Sequence, residues 1–79
     1  MANKPLPLSN LAVGTKGKVE SILIDGLLRR RLLDLGVVPG SVIEVVRVSP
    51  NGDPTAYLIK GALIGLRENE AKHILVHPI

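Results

Sequence analysis

The chain has 79 residues, enough for one domain, with a formal net charge of +3, a pI near 9.7 and a mean hydropathy of +0.30. It contains no cysteine, which excludes disulfides, thiolate metal ligands and cysteine nucleophiles. The basicity weakly favours an anionic partner and falls short of the concentrated patch of a dedicated nucleic-acid binder.

In chain order, Pro5 and Pro7 predict an extended N-terminal segment, because each proline restricts itself and the residue before it. The stretch from Met1 to Leu8 has no apolar core of signal-peptide length. Ser9 is placed to cap a single turn over Asn10, Leu11 and Ala12. Val13-Gly14-Thr15 then turns into a strand from about Lys16 to Ile24, with Val19 and Ile22 apolar and Lys18 and Glu20 polar. Asp25 is a good N-cap for a helix over about Gly26 to Leu35. At 3.6 residues per turn, Leu28, Leu32 and Leu35 share one face, Arg30, Arg31 and Asp34 lie opposite, and Leu27 and Leu33 fall at the flanks. Gly36 stands where a left-handed residue ends a helix, with Val37 packing back on Leu32. Pro39-Gly40 fits the centre of a type II turn.

Ser41 to Val48 is rich in β-branched residues and reads as a strand, apolar on both faces except at Glu44 and Arg47. The cluster Ser49-Pro50-Asn51-Gly52-Asp53-Pro54 predicts a hairpin loop. Strands follow over Thr55 to Lys60 and Ala62 to Leu66, separated by a tight turn or bulge at Gly61. Glu68 to Lys72 suits one helical turn, and His73 to His77 a last short strand. Short strands at this spacing predict a small, strongly bent antiparallel barrel as one domain over residues 1–79, with a short helix between its first two main strands.

The chemistry of catalysis is absent from this pattern. Gly14-Thr15-Lys16-Gly17-Lys18-Val19 has only the Gly-Lys of a phosphate loop, and Val19 cannot ligate magnesium. His73 and His77 share a strand face but stand roughly 13 Å apart at strand rise, too far for one ion. With Glu68 and Glu70 they make a weak metal candidate, so no metal or other cofactor is expected. No serine sits in a strained Gly-x-Ser-x-Gly turn, and an enzyme is not expected. Tyr57 is the one aromatic residue, too few for a groove that reads polyproline or stacks bases. Every apolar stretch is broken well before the ~18 residues of a membrane span. The expectation is a cytoplasmic protein without membrane insertion, whose aliphatic surplus faces a partner or a second copy.

The segment Leu28-Arg29-Arg30-Arg31-Leu32-Leu33-Asp34-Leu35 has two readings. It is either a solvated helix face, with Arg31 paired to Asp34, or a docking surface whose arginines meet carboxylates beside apolar anchors. The residues alone leave both readings open, and four pieces of the chain carry a resemblance: Leu11-Ala12-Val13-Gly14-Thr15-Lys16-Gly17-Lys18-Val19; Arg30-Arg31-Leu32-Leu33-Asp34-Leu35-Gly36 with Pro39-Gly40; Ser49-Pro50-Asn51-Gly52-Asp53-Pro54; and Ala62-Leu63-Ile64-Gly65-Leu66-Arg67 with Glu70-Ala71. In this order and spacing, over roughly Leu8 to Val76, they resemble the ferrous iron transport protein A (FeoA) family. The resemblance implies an SH3-like β-barrel, a role in bacterial ferrous iron uptake, and a regulatory or assembly partnership with the membrane transporter FeoB, through its cytosolic or membrane-proximal region. Partner contact is then expected at Leu27, Arg29, Arg30 and Leu33, with the Asn51-Gly52 loop beside them. A nucleic-acid- or ribosome-associated barrel is the alternative, motivated by the pI and the lysines around Gly17.

Overall fold

The computed structural model describes residues 4–79; Met1, Ala2 and Asn3, part of the stretch read above for a signal segment, lie outside the described residues. The elements are β1 (Leu6–Pro7), a 3₁₀ turn (Leu8–Asn10), β2 (Lys16–Ile22), α1 (Gly26–Asp34), β3 (Val42–Val48), β4 (Thr55–Ile59), β5 (Ala62–Leu66), α2 (Glu68–Ala71) and β6 (Ile74–Pro78). The strands form one antiparallel sheet in the order β1-β6-β2-β3-β4-β5. The predicted mainly-β architecture, with α1 between the first two main strands and one helical turn near the C-terminus, is the one observed. The sheet bends around its core without closing through hydrogen bonds, so β1 and β5 are its edges.

The bend has a local origin. The β2–β6 register shifts between Val19 and Ser21, and the β3–β4 register shifts between Val45 and Arg47. Such irregularities add local twist and break strict alternation. Val19 and Ile22, three residues apart, are therefore both buried, which blurred the end of this strand in the sequence. Inside the bend lie Leu8, Leu32, Val37, Ile43, Ile59, Leu66, Ile74 and Val76, each with no exposed surface. Gly17 lies on the same inner face and is buried against Leu11 and Val76.

Helix α1 ends as its sequence dictates. The Val37 N–H donates to the Leu32 carbonyl at 3.0 Å and the Gly36 N–H to the Leu33 carbonyl at 3.0 Å. This is the paired bonding of a Schellman ending, and Gly36 takes the left-handed φ of +99° that it needs. The type II turn follows: the Ser41 N–H donates to the Val38 carbonyl at 3.0 Å, and the Ser41 hydroxyl donates to the same carbonyl at 2.8 Å.

Three expectations are corrected. Asp25 occupies the N-cap position but its side chain caps nothing. The chain enters α1 through Gly26 at φ +78°, outside the helical geometry that brings a cap side chain to the first-turn amides. The first turn spans Leu8–Asn10, so Ser9 lies inside it and Pro7 precedes it. Proline's fixed φ prepares the chain for that earlier start. Arg31 pairs with Glu70 of α2, not with Asp34. Glu70 is held ready for it, because its Oε1 accepts from the Arg67 N–H at 2.9 Å at the start of α2.

Tyr57 on β4 is 2 % exposed. Burial pushes its phenol above the ordinary value of 10.0, a hydrogen bond with Thr55 opposes this, and the Asp53 carboxylate adds to it. The folded state thus keeps the phenolic proton at pH values where the unfolded chain has lost it. The associated stability is fully present below about pH 10 and is lost as pH rises through the folded value. We expect the ultraviolet titration of this single aromatic residue to run to higher pH than free tyrosine. The urea midpoint should fall with alkaline pH, and Tyr57→Phe should flatten that fall.

Candidate partner-binding surface

One face of α1 builds the core and the other is free. Leu32 points inward with no exposure, Leu28, Leu33 and Leu35 pack partly against the core, and Leu27 is 87 % exposed. That leaves Leu27 the most exposed large apolar side chain among the described residues.

The three arginines have three different situations. Arg29 reaches back and donates from Nη1 to the Ile22 carbonyl at 3.1 Å, at the end of β2. It thereby satisfies a main-chain acceptor while the rest of its fork stays available. Arg31 spans to Glu70 and ties α1 to α2. Arg30 makes no ion pair or side-chain hydrogen bond among the described residues. A shallow depression of about 450 Å³ lies here, lined by Gly26, Arg29, Arg30, Leu33 and Asp34. It offers an apolar floor at Leu33, two guanidinium groups and one carboxylate.

The structure thus brings Arg29, Arg30 and Leu33 to one depression, with Leu27 on the same helix but outside its lining. Asn51 and Gly52 are not part of it. They stand at the exposed tip of the β3–β4 loop, closed by the Gly52 N–H donating to the Ser49 carbonyl at 2.8 Å. That loop leans on α2, where Asp53 Oδ1 accepts from the Glu68 N–H at 2.9 Å. Gly26 and Asp34, which complete the lining, were assigned only to the start of the helix and to its polar face. Their part depends on how the helix sits on the sheet, which no local pattern encodes.

Other chemistries fare as follows. Among the described residues no group of three or more His, Asp or Glu side chains is gathered to hold a metal ion. His77 Nε2 lies 2.8 Å from Glu20 Oε1 and is occupied by it. Lys16 stands opposite Glu44, and Lys18 opposite His77, which Glu20 engages at 2.8 Å, so acids stand among the lysines around Gly17 and break a continuous basic track. No helix among the described residues is long and apolar enough to cross a membrane.

Comparison with known proteins identifies the family and the fold. Residues 6–78 match the FeoA domain family. A fusion protein of Porphyromonas gingivalis, Fe(2+) transport protein A/Fe(2+) transporter FeoB, is 35% identical over 72 residues, covering 91% of this chain and 8% of the fusion. The chain therefore spans a small part of that relative's length. The solution structure of FeoA from Chlorobium tepidum is 40% identical with a TM-score of 0.87, covering 94% of this chain and 70% of that one. The crystal structure of Stenotrophomonas maltophilia FeoA with zinc, described as a procaryotic SH3 domain protein, is 32% identical with a TM-score of 0.81, covering 90% and 88%. The expected SH3-like fold is shown by this likeness. With the matched family extending over nearly every described residue, the chain belongs to the FeoA domain family.

Proposed function

We propose that this domain is a non-catalytic, cytoplasmic accessory module of bacterial ferrous iron uptake, and that it docks through α1 onto the cytosolic region of the transporter FeoB. The observation that supports the reading most is the covalent union of a 35% identical domain with that transporter in Porphyromonas gingivalis. A domain fused to the transporter works at a high local concentration against it, and a docking surface on the domain is what such proximity would serve. The free face of α1 has the composition of such a surface. Leu27 is an exposed apolar anchor, Arg30 is a cation with no ion pair among the described residues, and Leu33 lines the depression beside Arg30. The complementary patch on the transporter is apolar at its centre and acidic at its rim.

The test is a titration of the isotope-labelled domain with the soluble cytosolic region of FeoB, in both nucleotide states, followed through amide shifts. Shifts should centre on residues 26–34. Arg30→Glu is expected to weaken binding about tenfold, with a steeper loss at low salt, and Leu27→Ala by a similar factor. Unchanged spectra at roughly 100 μM transporter region would refute direct docking. Arg30 is the better arginine to reverse, because Arg29 also holds the end of β2. The nucleic-acid alternative draws less support, since Lys16 stands opposite Glu44 and Glu20 engages His77 beside Lys18.

A further inference from the structure

The two edges of the sheet are protected very differently. Strand β1 is two residues long, ends in Pro7 and is preceded by Pro5, which removes donors from that edge. Strand β5, Ala62-Leu63-Ile64-Gly65-Leu66, has five residues and no charge, proline or bulge. An apolar, unbroken edge is a template for pairing with another strand.

The register shows which groups it offers. Lys60 and Gly61 form a two-residue turn, with φ of +51° and +80°, so Ile59 and Ala62 are the hydrogen-bonded pair that closes the hairpin. Bonding alternates from there, and Ala62, Ile64 and Leu66 spend their main-chain groups on β4. The N–H and C=O groups of Leu63 and Gly65 point away from the sheet. No backbone hydrogen bond among the described residues reaches them. Leu63 is 51 % exposed and stands opposite Leu58, itself exposed, on the outward face.

We propose that β5 pairs antiparallel with β5 of a second copy of this chain, centred on Ile64. Three features select this occupant and this register. The outward groups of Leu63 face those of Gly65 in the second copy, and the reverse holds across the two-fold axis, which gives four main-chain hydrogen bonds. The Leu63 side chain of each copy lies over Gly65 of the other, where no side chain obstructs it, and extends the apolar strip begun by Leu58. The antiparallel arrangement also sets the Lys60 end of each strand beside Arg67 and Glu68 of the other; Arg67 is paired with Asp53 of its own copy at 3.7 Å, which leaves Glu68 to meet Lys60 at both ends. An arbitrary extended peptide offers none of this self-complementarity. The inference does not rest on the α1 reading.

An interface built on five-residue strands is small, and it belongs at the weak end of the range, with a dissociation constant of roughly 10–1000 μM. Sedimentation velocity over that concentration range should show a reversible dimer. Leu63→Pro removes an outward N–H and the Leu63 side chain, neither of which the monomer's sheet uses, and should raise the dissociation constant more than tenfold with the monomer's circular dichroism unchanged. Lys60→Glu should weaken the dimer, and adding Glu68→Lys to it should restore the pairing. Hydrogen exchange on the unmodified protein decides the matter even if L63P fails to fold. Raising the concentration should protect the Leu63 and Gly65 amides and leave Ala62 and Ile64 unaffected. A monomer throughout, a dimer indifferent to L63P, a charge swap without rescue, or concentration-independent exchange at Leu63 and Gly65 overturns the proposal.

Discussion

Leu32→Ala is expected to cost about 2–5 kcal/mol, while Leu27→Ala, a chemically identical change five residues earlier on the same helix, should stay within about 0.5 kcal/mol. Leu32 has no exposed surface, and its carbonyl accepts the Val37 N–H that ends the helix. Truncation leaves a cavity beneath α1 and removes the side chain on which Val37 closes. Leu27 is 87 % exposed and leaves nothing behind. For a domain of this size each kcal/mol moves Tm by about 4–8 °C. Cores of small domains without disulfides supply little surplus, so L32A should approach complete loss of the folded state at 37 °C. Urea titrations of both variants, fitted with a common m value, are the measurement. Equal losses for the two would mean that α1 does not sit as described.

Gly17→Ala is the second change expected to act strongly, by about 1–3 kcal/mol. A Cβ at residue 17 would lie 2.8 Å from Leu11 Cδ1, 2.8 Å from Val76 Cγ2 and 2.9 Å from Val76 Cβ. The Leu11 methyl is a side-chain tip and can swing aside. Val76 cannot, because it is fully buried in β6 and its Cβ moves only with the strand. The overlap therefore has to be relieved by separating β2 from β6, which pair directly. Gly65→Ala is the matching control. Its nearest neighbour is Pro54 Cγ at 3.8 Å and its φ lies outside the left-handed range, so the monomer should keep its stability within about 0.5 kcal/mol. Thermal unfolding of the two alanine variants at low protein concentration separates them.

What was legible in the sequence was chemistry acting over a few residues. Gly36 and Pro39-Gly40 specify a helix stop and a turn by backbone conformation alone, and α1, its ending and the start of β3 follow. Relations between distant residues were not legible. Arg31 and Glu70 are 39 positions apart, and the nearer Asp34 looked the better partner. Arg29 looked wholly free, because nothing local indicates that its fork meets the Ile22 carbonyl. Gly17 looked like an ordinary strand position, because its crowding comes from Leu11 and Val76, which are distant in sequence. Of the candidate surface, helical periodicity placed Leu27, Arg29, Arg30 and Leu33 away from the main buried stripe. It could not show that the Asn51-Gly52 loop leans on α2.

The pairing of β1 with β6 has a mechanical consequence. Leu6 lies opposite Val76 and Pro7 opposite Leu75, so the first and last strands run side by side in opposite directions. Linkers attached at the two ends would leave from the same corner of the molecule. A carrier protein joined at either end would hold the domain at nearly the same pivot. Opposed tension on both ends would load the β1–β6 contacts one after another, as in a zipper, which yields at low force. A pull through one end alone spares that seam. The fold is therefore well suited to swing on a single tether and poorly suited to bear load within a chain.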